Sequence, residues 1–207
     1  MSFTDEMLDE LRRRLENELS YKRFEHTLGV EKAALSIAEY FPDLPSDEVS
    51  AAALLHDVAK ELSSDEQRRL AETSGIALTR DELVSPQVLH AFAAPGRILE
   101  GFKEFATPSV ISAVWKHTTG DENMDIFDKI IFVADYVESG RTYHGCIRVR
   151  EQLFSDLSRA KGREECVRAL NKACLEEIDE TISSLSRRGQ KIDARTLKAR
   201  SVIASII

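Results

Sequence analysis

The sequence predicts an all-α protein. Two observations lead there. Apolar residues recur at helical spacing along nearly the whole chain. Only 5 prolines interrupt 207 residues, so long stretches are free of the strongest helix breaker. A hydrophobic fraction of 43% argues against disorder, and the length suits one domain over residues 1–207.

Phe3, Met7, Leu8, Leu11, Leu15 and Leu19 form the apolar stripe of a first helix over 3–19. A second helix spans about 20–40 and turns Phe24, Leu28, Ala34, Leu35 and Ala38 inward. "PDLPSDE" ends it, and Ser46 is the expected N-cap of a helix running to about Glu61. Ser64 and Gln67 have capping-box spacing for a short helix. Residues 75–86 read as turn. Pro86 is expected to open the helix carrying His90, with "APG" at 94–96 interrupting it. Pro108 opens "SVISAVWKH", which stops near Gly120. "IFDKIIFVADYVES" has the Ile and Val content of a strand, but its length and helical flanks predict a central buried helix ending at Gly140. Two longer helices follow over about 146–158 and 162–187, and a terminal one over 194–207.

Net charge is −8, from 36 acidic and 28 basic residues. That balance argues against a long nucleic-acid surface, and leaves room for a small cationic pocket. Cys146, Cys166 and Cys174 form no CxxC unit and read as free core thiols in a reducing compartment. No run resembles a signal peptide or reaches transmembrane length, so a cytoplasmic protein without a membrane partner is expected. A homodimer through the terminal helices or the first apolar stripe is compatible with the pattern.

Several polar residues do not suit a bland core. "AALLHDVAKEL" places His56, Asp57 and Lys60 in an otherwise apolar helix. A carboxylate buried there needs a partner, and a metal ion would compensate His56 and Asp57 together. Lys60, already protonated, suits a phosphate better. Asp135 raises the same question in the most apolar helix; pairing with Arg141 is the ordinary alternative to metal binding. His26 and His90 also lie in apolar surroundings. His117 precedes Thr118, Thr119 and Gly120, which suit either a phosphate contact or a plain helix cap. Four imidazoles and two carboxylates without thiolates favour Fe, Mn, Co or Zn over Mg or Ca.

"RFEHTLGV" at 23–30, "LLHDVAK" at 54–60 and "ADYVESGR" at 134–141 together resemble the HD-domain metal-dependent phosphohydrolases. "WKHTTG" at 115–120 followed by Met124 is similar to one bacterial branch, the YqeK-type symmetrical diadenosine-tetraphosphate hydrolases. The resemblance covers about residues 18–185 and implies an HD-domain helical bundle, with the helices over 3–19 and 194–207 as peripheral additions. It implies two metal ions, expected to be iron. His26, His56, Asp57 and Asp135 would surround the first, and His90 and His117 would complete a second site with Asp57 bridging. Lys60, Thr118 and Arg141 match phosphate-contacting positions, with Arg23 a weaker match. Asp57, Lys60 and Arg141 would carry catalysis.

The implied reaction is hydrolysis of diadenosine tetraphosphate to two ADP, with a metal-bridging hydroxide attacking a phosphoanhydride. "RTYHG" departs from the relatives, and His144 is read as a surface residue or a contact to base or ribose. The rival readings are another HD hydrolase (a nucleotidase, a deoxynucleotide triphosphohydrolase or a guanosine-tetraphosphate hydrolase) and a noncatalytic nucleotide-binding regulator. Trp115 and Tyr136 are read as packing residues before nucleotide contacts. Phe102, Phe105 and Ala106 are candidates for a lid or base pocket.

Overall fold

The computed structural model describes residues 2–207, and among them there is no strand. Eleven α-helices follow one another: α1 (Asp5–Glu18), α2 (Tyr21–Ala38), α3 (Ser46–Leu55), α4 (Ser64–Thr73), α5 (Arg80–Val84), α6 (Leu89–Gly101), α7 (Pro108–Lys116), α8 (Ile126–Val137), α9 (His144–Arg159), α10 (Arg163–Arg187) and α11 (Ala194–Ala204). The all-α prediction holds. No helix among the described residues is long and apolar enough to cross a membrane. Cys146, Cys166 and Cys174 are buried free thiols, as expected.

The middle of the bundle is α2, α3, α7 and α8. Helix α2 packs on α3 and α8, and α7 packs on α3, α6 and α8. Ala51 to Leu55 on α3 and Ile130 to Ala134 on α8 are buried all round, as expected of helices without a solvent face. Helix α10 lies on α8 and α9, and α11 lies on α10. Helix α1 covers α3 with Leu8, Leu11 and Leu15.

Local chemistry sets most of the helix ends. Thr4, Ser20 and Thr107 accept the backbone N–H three residues on, and Pro108 supplies the preset first helical residue of α7. Asp125 and Asp128 close a capping box at the start of α8.

Several sequence expectations shift. The N-cap of α3 is Pro45, not Ser46; the proline already holds an extended conformation (φ −71, ψ 105), so Ser46 becomes the first helical residue. The next capping box is Ser63 with Glu66, one residue before Ser64 and Gln67. Residues 75–86 include the short helix α5, closed by a Thr79–Glu82 capping box. Helix α6 starts at Leu89, beyond Pro86, and continues through Pro95. An internal proline costs about 3 kcal/mol in an isolated helix. Here the whole run from Leu89 to Gly96 is buried, which offsets that cost. Phe102 and Phe105 are core, not lid: Phe105 meets the Phe3 ring edge-on, and the Arg14 guanidinium lies over Phe102.

The most consequential shift is that α3 ends at Leu55, so His56, Asp57 and Lys60 do not share a regular helix face. They lie on tight turns in which Lys60 N–H donates to Asp57 O at 2.9 Å. The cause is His56 itself. Its Nδ1 lies 2.7 Å from the Ala53 carbonyl oxygen, the acceptor that the next helical N–H would use. The imidazole ends the helix and turns its other nitrogen beyond it.

Candidate metal centre

His117 repeats that arrangement at the end of α7. Its Nδ1 lies 2.6 Å from the Val114 carbonyl oxygen, three residues back. A carbonyl only accepts, so Nδ1 carries a proton in both rings, and Nε2 is the nitrogen that the neutral imidazole would offer to a metal.

The structure brings all six sequence-predicted ligands together. His26 comes from the middle of α2, His56 and Asp57 from the turn after α3, His90 from the first turn of α6, His117 from the end of α7 and Asp135 from α8. Asp57 is the hub. Its Oδ1 lies 3.3 Å from His90 Nε2 and 3.4 Å from His117 Nε2. Its Oδ2 lies 3.5 Å from His56 Nε2 and 3.9 Å from His26 Nε2. Asp135 Oδ1 lies 3.0 Å from His26 Nε2 and 3.9 Å from His56 Nε2. His26–His56–Asp57, His56–His117–Asp135 and Asp57–His90–His117 are three overlapping triads whose donor atoms lie within 4.8 Å of one another.

These residues fit a metal. His56 Nε2 and Asp57 Oδ1 are buried without a hydrogen-bond partner. With both rings neutral, Nε2 of His56 and His117 would face the Asp57 oxygens lone pair to lone pair; positive charge at that place, whether a proton on an imidazole or a metal ion, relieves this. The three triads can hold one or two transition-metal ions.

The electrostatics agree for three of the four groups whose direction is clear. Burial pushes the Asp57 carboxyl up, but the facing His56, His117 and His90 imidazoles win and hold it well below the ordinary carboxylate range. Burial likewise opposes ionisation of Asp135, and His26 and Arg141 override it. Burial, aided by the Lys60 cation and opposed by Asp57, holds His90 well below the usual imidazole value. Anionic carboxylates and a neutral imidazole are the protonation states that metal ligation needs. His26 runs the other way: burial lowers it, but Asp135 raises it on balance, so a metal must displace a proton there.

Glu138 orients His26; the sequence offers Glu25, Glu31, Asp128 and Glu138 as acids that could support an imidazole and does not choose among them. Its Oε1 lies 3.2 Å from His26 Nδ1, and its Oε2 accepts the Gly140 N–H at 2.5 Å. The carboxylate occupies space left by Gly29: a Cβ there would sit 2.7 Å from Glu138 Oε2. Arg150 fastens this corner by donating to the Val137, Glu138 and Arg141 carbonyls. Glu138→Gln is expected to weaken metal affinity about 10–100-fold, the usual effect of losing a ligand's supporting carboxylate. A metal titration checks it; unchanged affinity would show that His26 is oriented by something else.

Three cations surround the donors. Arg23 Nη1 lies 2.5 Å from Asp57 Oδ2, and Arg141 Nη2 lies 2.5 Å from Asp135 Oδ1. Lys60 Nζ lies 2.9 Å from His90 Nε2. Asp135 thus makes the ordinary pair with Arg141 and at the same time faces two imidazoles, which places its carboxylate among the candidate metal donors. Thr118 Oγ1 lies 2.9 Å from His117 Nε2 and 3.1 Å from His90 Nε2. His144 is exposed at the start of α9. Trp115 packs against Phe92, with the Arg195 guanidinium 5.2 Å from its ring.

The HD-domain family profile matches residues 23–140, the span that supplies every one of these six candidate ligands. The chain belongs to the HD-domain family. Three proteins called symmetrical bis(5'-nucleosyl)-tetraphosphatase resemble it. That of Halalkalibacterium halodurans is 30% identical, over 86% of this chain and 87% of its own. That of Bacillus subtilis is 27% identical over 86% and 87%. That of Staphylococcus aureus is 29% identical over 72% and 75%. A crystal structure from Clostridium acetobutylicum, described as a predicted HD superfamily hydrolase involved in NAD metabolism, covers 99% of both chains with a TM-score of 0.79 at 25% identity. This protein is thus an HD-domain metallohydrolase acting on nucleotide or phosphoanhydride substrates.

Proposed function

We propose that this HD-domain enzyme hydrolyses diadenosine tetraphosphate symmetrically to two ADP, using two metal ions, with iron the preferred metal. The observation that carries the reading is Asp57, whose two oxygens face two separate imidazole pairs. A carboxylate so placed suits a bridge between two metals. The nitrogen-rich donor set without thiolate suits iron, and Mn, Co or Zn fit the same donors. When bound, two such ions would lower the pKa of water and neutralise phosphoryl oxygens. The resemblance to proteins called symmetrical tetraphosphatases supports the substrate.

The chain's own residues do the rest. Arg23 and Arg141 contact carboxylate oxygens that metals would claim, which would free both guanidiniums for phosphate. Arg141 offers a planar fork that holds two phosphoryl oxygens at once. Lys60 contributes a point charge beside His90, and the Thr118 hydroxyl a single donor. These groups bind and orient the polyphosphate and stabilise charge on the leaving ADP.

Lys60→Ala is expected to keep metal content and lose about 10²-fold or more in kcat/KM, the range for removing one oriented charge-stabilising donor. Loss of metal in that variant would contradict this role. Product analysis tests the whole reading. Diadenosine tetraphosphate should give ADP as the sole nucleotide product; AMP plus ATP would overturn the symmetry. Faster turnover of a mononucleotide or guanosine tetraphosphate in a substrate panel would overturn the substrate.

A further inference from the structure

Glu177 is a buried acid that the packing of α10 does not need. Only 7% of its surface is exposed, and its Oε2 is buried without a hydrogen-bond partner. An unpaired polar atom in a protein interior costs stability, so its presence calls for a physical reason.

The helix register brings Glu177 to the metal centre. Helices α8 and α10 pack together, and Lys129 Nζ donates to Asn171 Oδ1 at 2.8 Å between them. Six residues further along each helix stand Asp135 and Glu177. At the next level Tyr136 and Glu180 both crowd Gly145 at the start of α9. A Cβ on Gly145 would sit 2.8 Å from the Tyr136 hydroxyl and 3.3 Å from the Glu180 carboxyl carbon. The two helices thus run in the same direction, which sets Glu177 level with Asp135. The charges around it agree. Burial pushes the Glu177 carboxyl well above its ordinary range, Asp135 adds to the rise, and Arg141 opposes it.

Arg141 is the neighbour that would change partners. Its Nη2 donates to Asp135 Oδ1 at 2.5 Å, and its Nε donates to the Asp135 carbonyl at 3.0 Å. A metal on Asp135 would take the first of these acceptors. The guanidinium would then keep one hydrogen bond, near a carboxyl group whose Oε2 is free. A fork held at a single point loses the orientation that lets it grip two phosphoryl oxygens.

We infer that Glu177 is a positioning residue, which takes over the Arg141 guanidinium when metal claims Asp135 and so aims the fork at the phosphates. The inference rests on reading Arg141 as a phosphate contact. It explains the unpaired acid as stability given up for an oriented cation.

Kinetics, metal content and thermal melting of the metal-loaded protein test it, using the nucleotide that the wild type turns over fastest. Glu177→Met keeps the bulk and removes the acceptor. It should lower kcat/KM about tenfold, the effect of losing one hydrogen bond to a charged group. Metal content should be unchanged, and Tm should rise by about 2–4 °C or more as the unpaired group is removed. Glu177→Gln keeps an acceptor oxygen and should stay within about threefold of the wild type. In an Arg141→Ala background, Glu177→Met should change kcat/KM by less than about twofold.

An equal loss with and without Arg141 would overturn the positioning role. So would full activity of Glu177→Met, a Gln variant as slow as the Met variant, or a lowered Tm, which would make Glu177 a structural acid. Failure of the underlying reading is distinguishable. Arg141→Ala alone would then leave turnover unchanged, and the inference would fall with it. A damaging Arg141→Ala with additive Glu177 effects would sink the inference alone.

Discussion

Asp57→Asn is expected to abolish turnover and strip the centre of metal, with the helical content unchanged. The substitution keeps shape but replaces one acceptor oxygen with a donor amide. In the wild type both oxygens face imidazole nitrogens, at 3.3 and 3.4 Å on one side and 3.5 and 3.9 Å on the other. An amide turned either way closes one side of the centre with N–H bonds to imidazole lone pairs. It also removes the charge that pairs with Arg23. Because Asp57 would touch both metals, the loss should exceed the roughly 10–100-fold that follows from disturbing a ligand's support. Metal analysis and circular dichroism on the purified variant check this. A variant with full metal content would show that Asp57 is not the hub.

Gly96→Ala should destabilise the protein, although alanine is ordinarily the better helix former by about 1 kcal/mol. Gly96 sits on α6 where that helix crosses α4. A Cβ there would run into the Leu70 carbonyl, a backbone group that cannot swing aside. Overpacking of this kind costs about 1–3 kcal/mol, which for a chain this long lowers Tm by roughly 2–4 °C per kcal/mol. The same push would displace His90, six residues earlier on α6, from Asp57. Thermal melting and metal titration should therefore both move. A raised Tm would show that α4 and α6 have room to separate.

These two residues also show what the sequence reveals and what it hides. The candidate ligands are legible because a charged or imidazole group inside an apolar run needs a partner, and the HD-type context points to one. The helical repeat of Leu and Ala likewise exposed nearly every helix. Boundaries were harder, because they depend on which side chain captures a free backbone group. His56 ends α3 by taking the Ala53 carbonyl, and nothing in "LLHDVAK" distinguishes that from a continuing helix. Glu138 is one of four acids, with Glu25, Glu31 and Asp128, that the sequence offers as support for an imidazole; only the fold brings it across 112 positions to His26. Gly29, inside a helix, was the available hint, since a glycine there often marks a close approach.

The most direct measurement is metal content and turnover on one preparation, purified at low oxygen under reducing conditions, then stripped with chelator and reloaded. About two metal ions per chain, loss of diadenosine-tetraphosphate hydrolysis on stripping and its return on reloading with iron is the predicted result. Undiminished turnover by the stripped protein would contradict the account.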